Sequence, residues 1–322
     1  MPAPHPAHLL ITDAASDAPA CRSALAGLAL PALSALLAEL SPAPLARLPE
    51  DALDTPAERA LAQALGLHGE DGRLPWAAAQ AAAAGLPPAQ DWAFLTPCHF
   101  EVGMNRVRLT DPAMLVLAPD EAEAFMASMA PYLAEDGIVV ERWQDGHWLA
   151  HGVPFHGLAT ASPGRVLDED DLNPWLPASP LLRRLQNEMQ MLLYTHPAND
   201  ARAAQRLAPV NALWISGCGS WPAQAAVAAA EPAALQYVDA LGASARQGDW
   251  ASWAATWQRI DATHCAPLLQ RLRAGEPVAL TLCGRQASRR FDGRPRTALA
   301  DWVARWLTRW RKPQLAQLLE GL

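Results

Sequence analysis

The stretch from Gln186 to Pro222 carries the densest set of side chains that could contact a ligand. It begins with a polar element in which His196, Asn199 and Arg202 lie close together, and it continues into the apolar run Leu213–Ile215, which stops at two glycines. Such a run predicts a buried strand that ends in a turn. Because strand ends border ligand crevices in open α/β sheets, we expect the three polar side chains to lie near a ligand.

The same element also has a structural interpretation. Pro197 would end one helix, Asn199 would cap the next, and Arg202 would pair with a nearby carboxylate. Spacing leaves both interpretations open, and we weigh the structural one above direct ligand contact.

This stretch resembles the corresponding segment of archaeal-type cofactor-independent phosphoglycerate mutases, members of the alkaline phosphatase superfamily. In that family an HPxNxxR element precedes an AN-(apolar)-G-x-G strand, and here the two elements are His196–Arg202 and Asn211–Gly219. The resemblance covers most of the chain and is strongest over residues 138–222. It implies an alkaline-phosphatase-like α/β core, with a mainly parallel sheet flanked by helices, and a smaller inserted α+β lobe. It also implies two divalent metals, manganese or zinc, and a phosphoserine intermediate.

The N-terminal part of the family's catalytic set is only partly present. The segment LLITDAASD places Asp13 at the position of a metal-binding aspartate and Asp17 at its companion, without the family's glycines. Ala57 falls near the position of the nucleophilic serine. Thr55 could replace that serine only in a different register, and it fits better as a helix cap completed by Glu58.

The other two metal motifs of the family are also changed. One falls on Ala245–Trp250, where Arg246 and Gln247 stand in place of metal ligands, and the other falls on Thr281–Gly284, which lacks the Asp-His pair. An arginine side chain stays protonated and binds no metal. Since Asp13 alone cannot hold two ions, the sequence predicts no catalytic residue, no metal and no cofactor. The alternative is an active manganese- or zinc-dependent mutase or phosphatase with atypical ligands.

The arginines suggest that an anion site could persist without metals. Guanidinium groups bind phosphate through paired hydrogen bonds without activating it, so Arg246, Arg285 and also Arg289 could take the place of the cations. The opposing interpretation is that these arginines are solvated or structural. The predicted ligand-binding residues are Asp13, Arg246, Asp249, Arg285, His196, Asn199 and Arg202. We therefore expect a non-catalytic protein of regulation or partner binding that contacts a small phosphorylated ligand.

The predicted lobe carries further residues with reactive side chains. Strand alternation would put His147 and His151 on one face, with His156 nearby, but no second ligand set accompanies them and a metal role is disfavoured. The lid-like segment at residues 138–152 has Trp148 where the family has a cationic side chain. The pair Cys98-His99 would need a third partner to form a nucleophile.

These side chains must be positioned by an α/β core and an inserted lobe. We predict the core at residues 1–67 and 178–322 and the lobe at residues 68–177. The main predicted elements are strands at His8–Thr12 and Pro277–Cys283, and helices at Leu30–Leu40, Ala57–Leu67, Leu181–Leu193, Pro222–Leu241 and Trp250–Asp261.

Charge and composition restrict the classes of partner. The chain has 25 basic and 33 acidic residues, and residues 259–322 are basic while the rest is acidic. Trp302, Trp306 and Trp310 stripe one face of a predicted arginine-bearing C-terminal helix, which could bind a protein partner. A nucleic-acid role is disfavoured because the whole chain is acidic.

The cellular setting follows from cysteines and apolar runs. The five cysteines are widely spaced and form no CxxC pair, which favours a reducing compartment. No run approaches the roughly 20 apolar residues of a membrane span, and the N-terminus lacks the features of a signal peptide. The sequence therefore predicts a cytoplasmic protein without membrane contact.

Overall fold

The computed structural model describes residues 6–87, 90–104, 106–220, 235–293, 318–319 and 321–322. The strands are β1 (Ala7–Ile11), β2 (Ser41–Pro42), β3 (Ala46–Arg47), β4 (Asp91–Val102), β5 (Val107–Thr110), β6 (Val139–Gln144), β7 (His147–His151), β8 (Ala212–Ser220), β9 (Leu235–Val238), β10 (Val278–Cys283) and β11 (Ala287–Asp292). The helices are α1 (Pro19–Ala26), α2 (Pro31–Glu39), α3 (Pro56–Leu65), α4 (Trp76–Ala83), α5 (Pro119–Glu135), α6 (Pro163–Val166), α7 (Pro180–Tyr194), α8 (Pro197–Ala204), α9 (Gly242–Gln247), α10 (Trp250–Ile260) and α11 (Ala266–Arg273).

The chain divides into two compact units. Unit 1 consists of Met1–Asp51, Thr55–Gly66 and Ala229–Leu322, and unit 2 of Ala52–Asp54 and Leu67–Ala228. The inserted unit is therefore longer than the predicted lobe, because residues 178–228 belong to it and not to the core. The reason is that β8 and α7 pack inside unit 2, where β8 pairs with β4.

Unit 1 is built around a mixed sheet with the strand order β2-β11-β10-β1-β9, and β3 also pairs with β11. Strands β9, β1 and β10 are parallel, whereas β11 runs antiparallel to β10. Every residue of β1 is buried, as expected for a central parallel strand covered on both faces. Leu9 and Ile11 join the core formed with α1, α2, α10 and α11, and Leu10 faces α3. This arrangement confirms the predicted α/β class.

A buried carboxylate links two helices of unit 1, α10 and α2. Asp261 opens a π-helical turn after α10, and its two oxygens accept hydrogen bonds from the backbone N–H groups of Ala32 (3.1 Å) and Leu33 (2.7 Å). Because the first N–H groups of a helix lack intrahelical partners, this carboxylate caps α2 from outside its own sequence. Within the described residues, no single helix has the length and apolar character to cross a membrane, and α1 with α2 meets that test only as a pair bent by 90°.

Unit 2 is an α+β unit built on an antiparallel sheet. Its strand order is β5-β4-β7-β6, and β8 also pairs with β4. The β6–β7 connection is a two-residue turn in which Asp145 (φ 52°) and Gly146 (φ 84°) both have positive φ, the geometry of tight hairpins. Helices α5 and α7 supply the main core on one face of this sheet, and the Ala-rich α4 covers Trp92 and Leu149.

The strand in the Gln186–Pro222 stretch differs from its prediction. It does not end at the glycines beside a crevice of the parallel sheet, because β8 continues through them and pairs antiparallel with β4. The register shifts across Gly217, which has a φ of 63°. A Cβ on Gly217 would lie 2.8 Å from the ring of Phe94, so this glycine permits close packing inside the bulge.

A second correction concerns β9. The sequence predicts one helix over Pro222–Leu241, but Leu235–Val238 forms a strand parallel to β1, and the part of that predicted helix before Leu235 lies outside the described residues. The error matters for function because β9 delivers Tyr237 and Asp239 to the edge of the sheet where Asp13 lies. The predicted C-terminal helix with Trp302, Trp306 and Trp310 also lies outside the described residues.

Candidate functional site

The candidate site in unit 1 lies where three parallel strands end together. The backbone N–H of Thr12 donates to the carbonyl of Val238 (3.0 Å), and the N–H of Ala14 donates to the carbonyl of Cys283 (2.8 Å). These bonds fix the residues on either side of Asp13 to the ends of β9 and β10. Open α/β folds bind ligands at the carboxyl edge of their parallel strands, which makes this edge the candidate site of unit 1.

Asp13 has a strained backbone conformation at this edge. Its φ is 52°, in the left-handed region that aspartate enters more readily than most residues. The hydroxyl of Thr12 donates to Oδ2 of Asp13 (3.0 Å), and the indole N–H of Trp253 donates to its carbonyl oxygen (3.1 Å). Side chain and backbone of Asp13 are thus both held by neighbours in the same unit.

A guanidinium faces the carboxylate of Asp13. A Cβ built on Gly242 would lie 2.9 Å from Nη1 of Arg246 and 2.9 Å from Oδ2 of Asp13, so the ends of both side chains lie beside this glycine. Gly242 is buried at the start of α9, and Arg246 is exposed near its end. Two of the predicted ligand-binding residues, Asp13 and Arg246, are therefore brought together.

Further acidic groups surround this pair. The pKa of Tyr237 is raised above its ordinary value, first by burial and then by the negative charges of Asp239, Glu58 and Asp13. Its hydroxyl therefore remains protonated at neutral pH and can donate a hydrogen bond. Sequence reasoning missed Tyr237 and Asp239 because it read their strand as part of a helix.

Cys283 is an inert group at the same edge. Burial, with a smaller contribution from the charge of Asp13, raises the pKa of its thiol to about 12. Its Sγ lies 3.9 Å from the carbonyl oxygen of Pro56, and its neighbours are the apolar side chains of Leu10 and Ala60. A buried thiol with a raised pKa is a poor nucleophile at neutral pH.

Thr55, the alternative nucleophile considered from the sequence, is the N-cap of α3. The backbone N–H of Glu58 donates to the Thr55 hydroxyl oxygen (3.1 Å), and the Glu58 carboxylate accepts from the N–H of Thr55 (2.7 Å). This reciprocal pair confirms the capping role predicted for Thr55. Ala57 packs with Leu10 and Leu61 on the inner side of α3.

Two residues that match the family's metal motif have structural tasks here. Gly248 ends α9 with a φ of 67°, which a residue with a side chain adopts at a cost. Asp249 caps α10 by accepting from the N–H of Ser252 (3.0 Å), and hydrogen bonds from the Ser252 side chain and backbone lower its pKa. Asp17, the proposed companion of Asp13, is exposed.

The other predicted arginines lie on the β10–β11 hairpin. Arg285 is exposed in its turn, where the N–H of Gly284 donates to the carbonyl of Ala287 (2.9 Å). Arg289 donates from Nε to the carbonyl of Ala43 (3.0 Å), which gives it a structural contact. A Cβ on Gly284 would lie 2.6 Å from the carbonyl carbon of Leu322, so backbone fills the space beside this glycine.

The remaining predicted ligand-binding residues lie in unit 2. His196 caps α8, because its Nδ1 accepts from the N–H of Ala198 (3.2 Å), and its Nε2 lies 2.9 Å from the hydroxyl of Ser128. With Nδ1 accepting, Nε2 carries the proton of the neutral ring and donates to Ser128. The imidazole is therefore not arranged to take a proton from that serine.

Asn199 and Arg202 are buried and bonded within the same unit. The amide of Asn199 donates to the carbonyls of Leu193 and Val210 and accepts from the N–H of Val210, each at 2.8 Å. It lies inside α8 and does not cap it, contrary to the structural prediction, because His196 caps it instead. Arg202 pairs with Glu121 (3.1 Å), which confirms the predicted carboxylate partner.

The donor set does not fit a two-metal centre. Among the described residues, no three His, Cys, Asp or Glu side chains are grouped so that they could hold a metal ion. Asp13 faces a guanidinium, and the Cys283 thiol is protonated. The three lobe histidines have separate partners, namely Gln80 for His147, Glu141 for His151 and Asp91 for His156.

Comparison with known proteins gives distant structural similarity only. No protein-family model and no curated protein matches the chain. Among solved structures, the PH0037 protein from Pyrococcus horikoshii is similar with a TM-score of 0.48 and 15% identity, over 90% of this chain and 88% of that one. A cofactor-independent phosphoglycerate mutase from Thermoplasma acidophilum DSM 1728 has a TM-score of 0.37 and 12% identity, over 89% of each chain. At these values the site must be argued from its own residues.

Proposed function

We propose that this protein acts by binding and not by phosphoryl transfer, as a regulatory protein whose unit 1 contacts a small anionic ligand through Arg246. The ligand class suggested by the sequence resemblance is a phosphorylated small molecule. The proposal concerns the edge formed by the ends of β9, β1 and β10.

The main support for the proposal is that the side chains of Asp13 and Arg246 face each other at Gly242. In the family that the sequence resembles, the corresponding aspartate would hold a metal ion. Here a permanently charged guanidinium lies beside that carboxylate, and a guanidinium can neither lower the pKa of a water nor activate a hydroxyl as a metal does. A fixed cation of this kind supports binding and gives no route to a nucleophile.

The surroundings define what the ligand must look like. Asp13, Glu58 and Asp239 make the area acidic, so an anion is accepted only where it reaches the exposed guanidinium of Arg246 directly. The protonated Tyr237 hydroxyl offers a neutral hydrogen bond to a ligand oxygen. A small ligand with one phosphate or carboxylate and further hydroxyl groups meets both conditions.

Thermal unfolding in added anion tests this proposal. Inorganic phosphate and 3-phosphoglycerate should each raise the Tm of the wild-type protein relative to sodium chloride at equal ionic strength, as a ligand that binds the folded state must. Arg246→Ala should lose the response. Arg259→Ala removes another exposed arginine of unit 1, on α10, and should keep it.

Two results would contradict anion binding at Arg246. Either the three proteins respond equally, which would indicate binding elsewhere, or no phosphate compound raises any Tm. In the second case a protein partner becomes the better proposal, and the Trp302, Trp306 and Trp310 segment remains its sequence-based candidate.

The second candidate function is a metal-dependent mutase or phosphatase, favoured by the position of Asp13 at the end of β1. Elemental analysis of the purified protein, together with a mutase assay in added manganese, separates the two proposals. Stoichiometric metal and a turnover that Asp13→Ala abolishes would establish the enzyme. Protein without bound metal and without turnover supports binding alone.

A further inference from the structure

Helix α10 buries two tryptophans that differ in one respect. Trp253 and Trp257 are both fully buried, one turn apart, with ring centroids separated by 6.2 Å. The indole N–H of Trp253 donates to the carbonyl of Asp13 (3.1 Å), whereas the indole N–H of Trp257 has no hydrogen-bond partner among the described residues. Because Trp257 is equally buried without such a bond among the described residues, burial of the ring alone does not account for the Trp253 contact.

The bond falls on the carbonyl of Asp13, which lies between two residues whose N–H groups are bonded to the sheet. Thr12 and Ala14 are bonded to β9 and β10 through their N–H groups, and between them Asp13 turns into the left-handed region. Its carbonyl points to Trp253, and its side chain points to Gly242 and Arg246. The backbone angles fix the direction in which the side chain leaves Asp13, and the hydroxyl of Thr12 holds the carboxylate that is presented there.

We infer that Trp253 is a positioning residue, which holds Asp13 in its left-handed conformation so that the carboxylate orients the Arg246 guanidinium for an anionic ligand. Only the expected effect of Trp253 on anion binding rests on the proposed function. The structural consequence, a link from Trp253 through Asp13 to Arg246, holds whether or not an anion binds.

The paired variants Trp253→Phe and Trp257→Phe isolate the indole N–H. Each variant removes a similar volume from the same face of α10. Only Trp253→Phe also removes a hydrogen bond to another described residue, the one to the carbonyl of Asp13. In Trp253→Phe we expect the Nε–H signal of Arg246 in NMR spectra to shift and broaden, and the phosphate Kd to rise roughly five-fold, the effect of one hydrogen bond. Trp257→Phe should leave both unchanged.

A third variant keeps the core intact in case the buried substitutions prevent folding. Arg246→Ala changes an exposed residue, and through Asp13 it should shift the indole N–H signal of Trp253 while leaving that of Trp257 in place. Equal shifts in both indole signals, or none, would overturn the inference. So would equal effects of the two Trp→Phe variants.

The outcomes also separate this inference from the proposed function. If phosphate binds to no variant and not to the wild type, but the Arg246 signal changes only in Trp253→Phe, the positioning role stands and anion binding fails. If phosphate binds to the wild type and both Trp→Phe variants bind it equally, anion binding stands and the positioning role fails.

Discussion

Gly242 leaves room for the side-chain ends of Asp13 and Arg246. A Cβ at this position would lie 2.9 Å from both charged groups, which is closer than side-chain atoms tolerate without displacement. The backbone of Gly242 is not strained, because its φ lies outside the left-handed region. Its lack of a side chain therefore serves the charged pair and not the backbone.

Gly242 and Gly248 of unit 1 differ in what a side chain would disturb, so their Gly→Ala substitutions should have opposite effects on binding and stability. Gly242→Ala should weaken the phosphate response while changing stability little, because the helix propensity of alanine offsets the crowding by up to about 1 kcal/mol. Gly248→Ala meets no atom within 4 Å but has a φ of 67°, so it should lower the free energy of unfolding by about 1 kcal/mol and leave binding intact. Urea unfolding and phosphate titration of both variants check this. Loss of binding in Gly248→Ala alone would refute it.

His8 predicts a pH dependence of stability. Burial, and then the charge of Arg290, lower its pKa to about 4, while Asp292 acts in the opposite direction. Because the folded-state pKa lies below the ordinary value of 6.5, the unfolded chain binds more protons between these pH values, and stability falls as the pH is lowered from 6.5 towards 4. The full contribution is about 3 kcal/mol. The ring lies 2.8 Å from the hydroxyl of Thr281.

The measurement compares wild type with His8→Gln. The variant keeps a polar group near Thr281 but cannot titrate, so its free energy of unfolding should fall less between pH 7 and pH 4.5 than that of the wild type. Parallel pH profiles of the two proteins would show that His8 is protonated in the folded state over this range just as it is in the unfolded chain.

At the scale of elements, sequence patterns were reliable where local signals and burial agreed. The run before Asp13, the PVALTLC strand and the capped helix α3 formed as expected, because each carries its own apolar periodicity or cap. The short strand β9 was missed, since its pairing with β1 joins residues far apart in the chain and leaves little trace in four residues. The candidate site follows the same division: the sequence points to Asp13 and Arg246, which the structure places beside Gly242, but it does not point to Tyr237 and Asp239.

The β8 error has a related cause. A buried apolar run bounded by glycines fits a parallel strand at a crevice as well as an antiparallel strand with a bulge, and only its distant partner β4 distinguishes them. The polar residues His196, Asn199 and Arg202 were grouped by sequence with Arg246, but they belong to the other unit.

The cap of α3 gives a prediction at this scale. Thr55→Ala removes the acceptor for the Glu58 N–H and should lower the free energy of unfolding by about 1 kcal/mol, while Thr55→Ser keeps the oxygen and should restore most of it. Phosphate binding should be the same in both. A Thr55→Ala variant of unchanged stability that loses a measurable phosphotransferase activity would instead assign a catalytic role to this hydroxyl.

At the scale of the whole molecule, the five cysteines report on the two units separately. Cys21, Cys265 and Cys283 lie in unit 1, Cys98 and Cys218 lie in unit 2, and all five are buried. Burial raises the pKa of each thiol, to about 12 for Cys218 and Cys265, so the reactive thiolate is scarce as well as covered.

Thiol labelling should therefore follow unfolding of the surrounding unit and not local exposure. With a thiol reagent added in native buffer, we expect labelling far slower than in denaturant, because a covered thiol reacts only after its surroundings open. Peptide mapping along a urea series should show the three unit 1 cysteines labelled together and the two unit 2 cysteines labelled together, since each set lies within one compact unit. A single cysteine that reacts within minutes in native buffer would contradict its burial. Different midpoints for Cys98 and Cys218 would show that unit 2 does not unfold as one cooperative structure.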